Sequence, residues 1–426
     1  MYSCGRVLRQ QLASSLKAFS YSRMGSAGST GAVGPQANIE DDHVKEALKM
    51  DKGREAIFIS QSVRDLAGKG DHFSSTVTSV EVKFSLMGKH NVVSYVVKIS
   101  PHRSEDHLAD FHLSMMKKEN EFFKAILPQL NSELNSLGHS NLRMPRWLYT
   151  SLEEDKELIF LEDLRPLGFK VFDCKVGLDV DHTNLVLKEL ARLHAASLLL
   201  KAKTPLQDLA QTFPHIAEDW TSLSENAKKM HNKTCSGSLA GAEALLTNIK
   251  GYEVARRWLA KHQNNSLDLV KHFLVRNPKF DVICHGDCWV NNVQFRYSDG
   301  KPVDVMLLDL QLNRLASPAT DLNYLLYTSL HGKDRKANWR DFLSYYYDTF
   351  RSVMEAGGRG MPFTLKELHQ EYRNKMEYGM LYGSMTVSLV MREISSTLDE
   401  KKKNPQFLSR FLALYGELIE QERSRL

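Results

Sequence analysis

Residues Cys284-His285-Gly286-Asp287-Cys288-Trp289-Val290-Asn291-Asn292 put an aspartate five positions ahead of an asparagine on a short stretch that contains a glycine. Phosphoryl transfer needs a carboxylate beside the attacking hydroxyl and an oxygen ligand for a magnesium ion close to it. Asp287 and Asn292 supply that pair, the first as catalytic base and the second as metal ligand. The reading then depends on whether the other parts of such a site occur around them in the right order.

Downstream, Val293 to Tyr297 and Val303 to Leu308 are apolar runs separated by Ser298-Asp299-Gly300-Lys301-Pro302. Asp-Gly between two such runs predicts a hairpin. The hairpin brings the chain back to its start, so Asp309 is expected beside Asn292 at one end of neighbouring strands. One hard cation with oxygen ligands fits between them. A carboxylate directly after Met306-Leu307-Leu308 is costly without a partner, which favours the metal role over a strand-end cap.

Upstream, Val80, Val82 and Phe84 alternate with polar residues, Gly88-Lys89-His90-Asn91 reads as a turn, and Val92 to Ile99 reads as a strand with Lys98 near its end. In the segment from Ser114 to Leu130, Met115, Glu119, Phe122, Phe123 and Ile126 share one helical face, which turns Glu119 inward. Glu121 shares a different face with Lys117, Lys118 and Lys124 and is expected in solvent. An inward carboxylate needs a partner. Lys98 is the nearest preceding basic residue on a core strand, so a Lys98–Glu119 pair is predicted. Ahead of the first strand, Gly68, Lys69 and Gly70, followed by Ser74 and Ser75, form a glycine-rich turn that can present backbone N–H groups to phosphate, although such a turn taken alone is more often an ordinary one. Leu158 to Leu161 is a short strand running into Glu162-Asp163-Leu164 and then Arg165-Pro166, a connector where one lobe can hand over to another.

In chain order these are a glycine-rich turn, Lys98, Glu119, an acidic hinge, Asp287, Asn292 and Asp309. That is the order of the kinase phosphotransfer site, in which a glutamate holds the phosphate-binding lysine and an asparagine and an aspartate hold magnesium. Only Leu312 to Thr320 separate Asp309-Leu310-Gln311 from the apolar run Leu322 to Tyr327, so no long segment is left to hold a peptide. The acceptor is therefore expected to be a small molecule bound by the helical C-terminal region. His194, on an apolar helical stripe with Val186, Leu190 and Leu193, reads as a hydrogen-bonded core histidine.

The 426 residues suffice for a bilobed enzyme, and the net charge of +5 is slight for that length. No basic block with interleaved aromatics argues for nucleic acid. The five cysteines are scattered; only Cys284 and Cys288 are close, a poor zinc signature, and the pattern fits a reducing compartment. No apolar stretch approaches the roughly 20 residues that span a bilayer. Residues 1 to 39 lack Asp and Glu, carry Arg6, Arg9, Lys17 and Arg23 among serines, and place Leu8, Leu12, Leu16 and Phe19 on one stripe. This is either a tail outside the fold, with the protein cytoplasmic, or a mitochondrial targeting segment.

The stretches HGDCWVNN, LLDLQLNRLASPATDLNYLLYTS, FLEDLRPLGF, AGKGDHFSS, KKENEFFKAILP and ELARLHA resemble the ecdysteroid kinase-like (CHK kinase-like) branch of the aminoglycoside phosphotransferase and choline kinase group, from about residue 45 to the C-terminus. The resemblance implies an α+β, bilobed protein-kinase-like fold. Its small N-terminal lobe (41–165, after a segment 1–40) would carry an antiparallel sheet and one key helix, and its large, mostly helical C-terminal lobe (166–426) the acceptor site. It implies ATP between the lobes, with Asp287 catalytic, Asn292 and Asp309 on Mg2+, Lys98 and Glu119 as the phosphate-positioning pair, and backbone around Glu162, Asp163 and Leu164 against adenine. Leu310 stands where the family usually has Phe, and Asp321 matches a position that braces the catalytic loop. The implied acceptor is a hydroxyl of an ecdysteroid-like steroid or a foreign compound. A choline or ethanolamine kinase, with a cation cage drawn from Trp220, Trp258, Tyr324, Tyr327 and Tyr345 to Tyr347, and a nucleotide-binding pseudokinase are the alternatives.

Overall fold

The computed structural model describes residues 38–65, 76–100, 108–218, 225–390 and 398–423. Gly68, Lys69, Gly70, Ser74 and Ser75 lie outside the described residues, as do 1–37 and Trp220.

The N-terminal lobe is built on five antiparallel strands in the order β1-β2-β3-β5-β4, where β1 is Ile57–Asp65, β2 Thr76–Leu86, β3 Lys89–Ile99, β4 Trp147–Ser151 and β5 Leu158–Glu162. Side chains alternate between the faces of a strand. Tyr95, Val97 and Ile99 of β3 thus join Val80, Val82, Phe84 and Phe160 in one core, which helix α1 (Asp41–Lys52) covers with Val44, Ala47 and Leu48. The same parity turns Lys98 to the opposite face. Strands β2 and β3 are joined by Met87-Gly88, both at positive φ, because the ladder already pairs Leu86 with Lys89; the four-residue turn therefore comes two residues earlier than the sequence suggested. Strand β1 was not foreseen at all.

Helix α2 (Ala109–Glu121) runs through one π turn, Phe122–Ile126, into α3 (Leu127–Ser136). Met115, Glu119, Phe122, Phe123 and Ile126 are all buried, so the inward face is the one the sequence predicted. The opposite face differs from expectation. Lys118 is buried and donates to the Glu218 carbonyl at 2.6 Å, and Glu121 is half-buried instead of solvated. The cause is the chain around Pro214 to Glu218, which returns to cover that side of α2 and which periodicity within α2 could not reveal.

The C-terminal lobe is helical around one large apolar core. Its central helix α4 (Val180–Lys201) starts at Asp179, whose carboxylate accepts from the His182 N–H at 3.0 Å as an N-cap. Short strand β6 (Lys170–Val171) pairs with the hairpin β8 (Val293–Ser298) and β9 (Lys301–Leu307), turned by Asp299-Gly300 at positive φ. Strands β7 (Val282–Cys284) and β10 (Arg314–Ala316) pair antiparallel, with Cys284 opposite Arg314. Helix α5 (Pro318–Ser329) follows, with Ser317 as N-cap and Pro318 in the first turn. It packs on α6 (Met376–Val390). Among the described residues no helix is long and apolar enough to cross a membrane.

Candidate active site

Lys98 Nζ lies 2.6 Å from Glu119 Oε2 and 2.8 Å from Asp309 Oδ1. Glu119 is 1 % exposed; its second oxygen accepts from the Leu310 N–H at 3.2 Å, so the buried carboxylate is bonded at both oxygens. Burial alone would pull the Lys98 pKa down, but Asp309 and Glu119 outweigh it and hold the ammonium charged well above neutrality. Three distant segments, β3, α2 and the end of the β8–β9 hairpin, thereby meet at one ammonium group.

The hairpin does what its register requires. Val293 pairs with Leu307, and the Leu308 N–H donates to the Asn292 carbonyl at 2.9 Å, which sets Asn292 and Asp309 at the same end of the two strands. Asp309 itself adopts φ 64°, ψ 66°, a left-handed conformation uncommon outside glycine. The Asn292 amide donates to both the Asp287 carbonyl and Asp287 Oδ2, each at 2.9 Å. Its amide oxygen is turned away from Asp287. With the Asp309 carboxylate it offers a set of oxygen donors suited to a hard dication.

The loop carrying Asp287 is fixed from below. Asp321, buried near the start of α5, accepts the backbone N–H of His285 at 2.6 Å and of Gly286 at 3.0 Å, and its Oδ2 is 3.2 Å from His194 Nε2. His194 in turn meets the Tyr346 hydroxyl at 2.8 Å. Burial opposes charge on Asp321, yet the bond and charge of His194, with His285 and Arg314, keep its pKa below the ordinary value. Gly286 has φ +88°, and a Cβ there would come within 2.6 Å of the Leu312 carbonyl carbon, so this position requires glycine. Arg314 donates to the carbonyls of Gly286 and Leu312 and, at 2.7 Å, to the Tyr378 hydroxyl. It ties the Asp287 loop to the stretch after Asp309.

Asp287 has a second neighbour that the sequence reading named only as a candidate cage aromatic. The Tyr324 hydroxyl donates to Asp287 Oδ1 at 2.6 Å. A signal for it existed: Tyr324 is one helical turn beyond Asp321 and so shares its face. Its ring contacts that of Tyr382 at a centroid distance of 4.9 Å, and Tyr378 lies 6.4 Å away. Burial, and then the Asp309 charge, push the Asp287 pKa up to about 7. Burial raises the Tyr324 pKa as well, so the phenol keeps its proton.

At the hinge, the Asp163 side chain is held by Arg165, at 2.6 Å, and by Ser94, also at 2.6 Å, while Glu162 bonds Arg146 at 2.9 Å. Leu164 is buried with Phe169 and Met306 in a small apolar cluster. Both acidic side chains are thus committed to the protein. Of the described aromatics considered for a cation cage, Trp258, Tyr327 and Tyr346 are core, Tyr345 is exposed, Tyr347 is half-buried, and Tyr324 hydrogen-bonds Asp287.

A five-stranded sheet with an inward glutamate helix, set over a helical lobe that carries the HGD loop and the aspartate hairpin, is the arrangement of small-molecule phosphotransferases of the kinase-like class. The chain belongs to the ecdysteroid kinase-like family, which it matches over residues 69–358. An uncharacterized kinase-like protein of Caenorhabditis elegans is 21% identical over 288 residues, covering 66% of this chain and 71% of the relative. Among solved structures, the GDP complex of an aminoglycoside 2′-phosphotransferase is similar with 12% identity and a TM-score of 0.38, covering 90% of this chain and 100% of that one. An ethanolamine kinase of Plasmodium vivax has 11% identity and a TM-score of 0.40, covering 86% of this chain and 85% of its own.

Proposed function

We propose that this chain is an ATP- and magnesium-dependent kinase that transfers the γ-phosphate to a hydroxyl of a small organic acceptor, within the steroid-like or foreign alcohols suggested by its family. The observation that carries the proposal is the convergence of Lys98, Glu119 and Asp309 beside the Asp287–Asn292 pair. Asp287, the base, orients the acceptor hydroxyl and takes its proton as the oxygen attacks. Lys98, held in place by Glu119, faces the phosphate chain and offsets its charge. Asn292 and Asp309 would hold Mg2+, which supplies charge neutralisation on the phosphates when bound with ATP. Backbone of Glu162 to Leu164, with Leu164, Phe169 and Met306 as an apolar wall, is the proposed adenine edge. Gly68, Lys69 and Gly70 are proposed to cover the phosphates.

One observation supports a second acceptor class. Tyr324, Tyr378 and Tyr382 present aromatic rings beside Asp287, and such rings also hold quaternary ammonium groups. Choline and ethanolamine therefore belong in the acceptor panel. The test is incubation of the protein with Mg·ATP and a tissue metabolite extract, read by mass spectrometry for one metabolite that gains a phosphate. Wild type should yield such a product and Asp287→Asn should not. A protein that neither binds nor turns over ATP with a broad panel of alcohols would overturn the reading.

A further inference from the structure

Both oxygens of Asp287 are occupied by protein donors: Oδ2 by the Asn292 amide at 2.9 Å and Oδ1 by the Tyr324 hydroxyl at 2.6 Å. Since Asn292 also bonds the Asp287 carbonyl at 2.9 Å, the Oδ2 side is fixed to the loop. Oδ1 is then the oxygen left to meet an incoming hydroxyl. At present a phenol sits there, at the distance an acceptor O–H would take.

We propose that Tyr324 caps the base in the resting site: its hydroxyl occupies the acceptor's place on Asp287 Oδ1, excludes water from it, and yields only to the acceptor hydroxyl. Tyr324 is a positioning residue in this role, acting through Asp287. Three features fit the assignment. The phenol is held as a donor because burial and the neighbouring carboxylate raise its pKa. Its ring rests against Tyr382, and Tyr382 against Tyr378, each at 4.9 Å, which fixes the hydroxyl's reach. Tyr378 is in turn bonded by Arg314 at 2.7 Å, so the aromatic group is anchored to the same side chain that braces the Asp287 loop. Both Asp287 and Tyr324 remain partly accessible, so an acceptor can reach the position without opening the core.

The cap has a chemical purpose. A kinase that activates alcohols can also activate water, whose oxygen would attack the γ-phosphorus. The bond from that phosphorus to the β–γ bridging oxygen would break, releasing ADP and inorganic phosphate with one proton passed through Asp287 to solvent. Covering Oδ1 with a phenol removes the acceptor site for that water's proton. An alcohol that brings its own binding energy displaces the phenol, whereas water brings little.

This inference rests on the proposed phosphotransfer role of Asp287, and the test separates the two. The probe is Mg·ATP alone, without acceptor, using full-length wild type, Tyr324→Phe, Asp287→Asn and the double variant. Tyr324→Phe keeps the ring and its packing, and thermal unfolding together with the melting shift produced by Mg·ATP reports whether fold and nucleotide binding survive. The expected result is acceptor-independent phosphate release about five-fold or more above wild type in Tyr324→Phe, an unchanged nucleotide-induced shift, and loss of the gain in the double variant. Release equal to or below wild type in a Tyr324→Phe protein that still shows the nucleotide shift overturns the cap and leaves the kinase reading standing. A gain that persists in the double variant also overturns it, because the water would then not be using Asp287. If Tyr324→Phe loses the nucleotide shift, Tyr324→Trp, which keeps an aromatic ring but no hydroxyl, replaces it under the same criteria, and loss of the shift there too overturns the assignment in favour of a purely structural role. Absence of any nucleotide shift in wild type would instead count against the kinase reading and the cap together.

Discussion

Lys98 and Asp309, 211 residues apart in the chain, meet at 2.8 Å across the junction of the two lobes. The contact exists because strand parity turns Lys98 away from the α1 core while the hairpin register delivers Asp309 to the same place. Glu119 completes the group from below, almost wholly out of solvent. Removing the cation leaves two carboxylates facing each other, one of them buried. Lys98→Met is therefore expected to destabilise the protein by about 3–5 kcal/mol. Glu119→Gln keeps an acceptor for Lys98 or for the Leu310 N–H but not for both, and should cost less than Lys98→Met because Lys98 retains Asp309 as a partner. Urea unfolding of both variants decides the matter, and a Lys98→Met protein as stable as wild type would show that the pair is not energetically coupled.

Asp321 gives a second, independent prediction. Its two oxygens take two backbone N–H groups of the HGD loop, and an amide in its place turns one acceptor into a donor aimed at a donor. Asp321→Asn should lose about 2–3 kcal/mol of stability and loosen the loop that carries Asp287. The second effect is visible as faster amide hydrogen exchange at His285 and Gly286. Exchange unchanged at those two positions would contradict the bracing role.

How much of the fold is legible in the sequence follows from the range over which each signal acts. The inward face of α2 was legible because Glu119 interrupts an otherwise apolar stripe, and the hairpin because Asp-Gly lies between apolar runs. Strand β1 was not. Its Ile57 and Ile59 are exposed, Ser60, Gln61 and Ser62 break the alternation, and a bulge interrupts its pairing between Phe58 and Ser60. The half-burial of Glu121 and the full burial of Lys118 escaped for another reason: the residues that cover them lie about a hundred positions later, around Glu218. Tyr324 lay between these cases. Once Asp321 is assigned to the loop, helical spacing brings Tyr324 to the same side, but only the fold brings Asp287 within reach.

Gly286 allows the cost of crowding to be separated from the cost of backbone conformation. Gly286 and Gly53 have nearly the same φ, +88° and +87°, but a Cβ at Gly53 meets nothing within 4 Å. Gly53, at φ 87° and ψ 171°, sits in extended backbone that essentially only glycine adopts, so Gly53→Ala should cost about 1–3 kcal/mol from backbone strain alone. Gly286→Ala also places a side chain at positive φ and in addition forces Leu312 and Arg314 to move, so a loss about 2 kcal/mol larger is expected, together with loss of phosphotransfer. Equal losses at the two positions would mean that the loop relaxes freely around the added methyl group.

The raised pKa of Asp287 has a consequence for stability that needs no substrate. A carboxyl whose folded pKa lies near 7, above its ordinary value of 3.8, stabilises the fold while it is protonated. That contribution is complete below about pH 4 and is lost as pH rises through 7. Asn at the same position is neutral throughout, so the stability of Asp287→Asn relative to wild type should be lowest near pH 4.5 and rise with pH until it levels off above about pH 8. A shift of this size corresponds to about 4 kcal/mol at most, and the partial accessibility of Asp287 reduces the expected rise to about 2 kcal/mol. Measuring the difference between the two proteins, with a chelator present and by urea unfolding from pH 4.5 to 8.5, cancels the titration of groups they share. Added Mg2+ should reduce the rise, because a cation at Asp309 removes the charge that, after burial, does most to raise Asp287. A gap that stays constant over the whole range would place the Asp287 pKa near its ordinary value and remove the electrostatic coupling between the two aspartates.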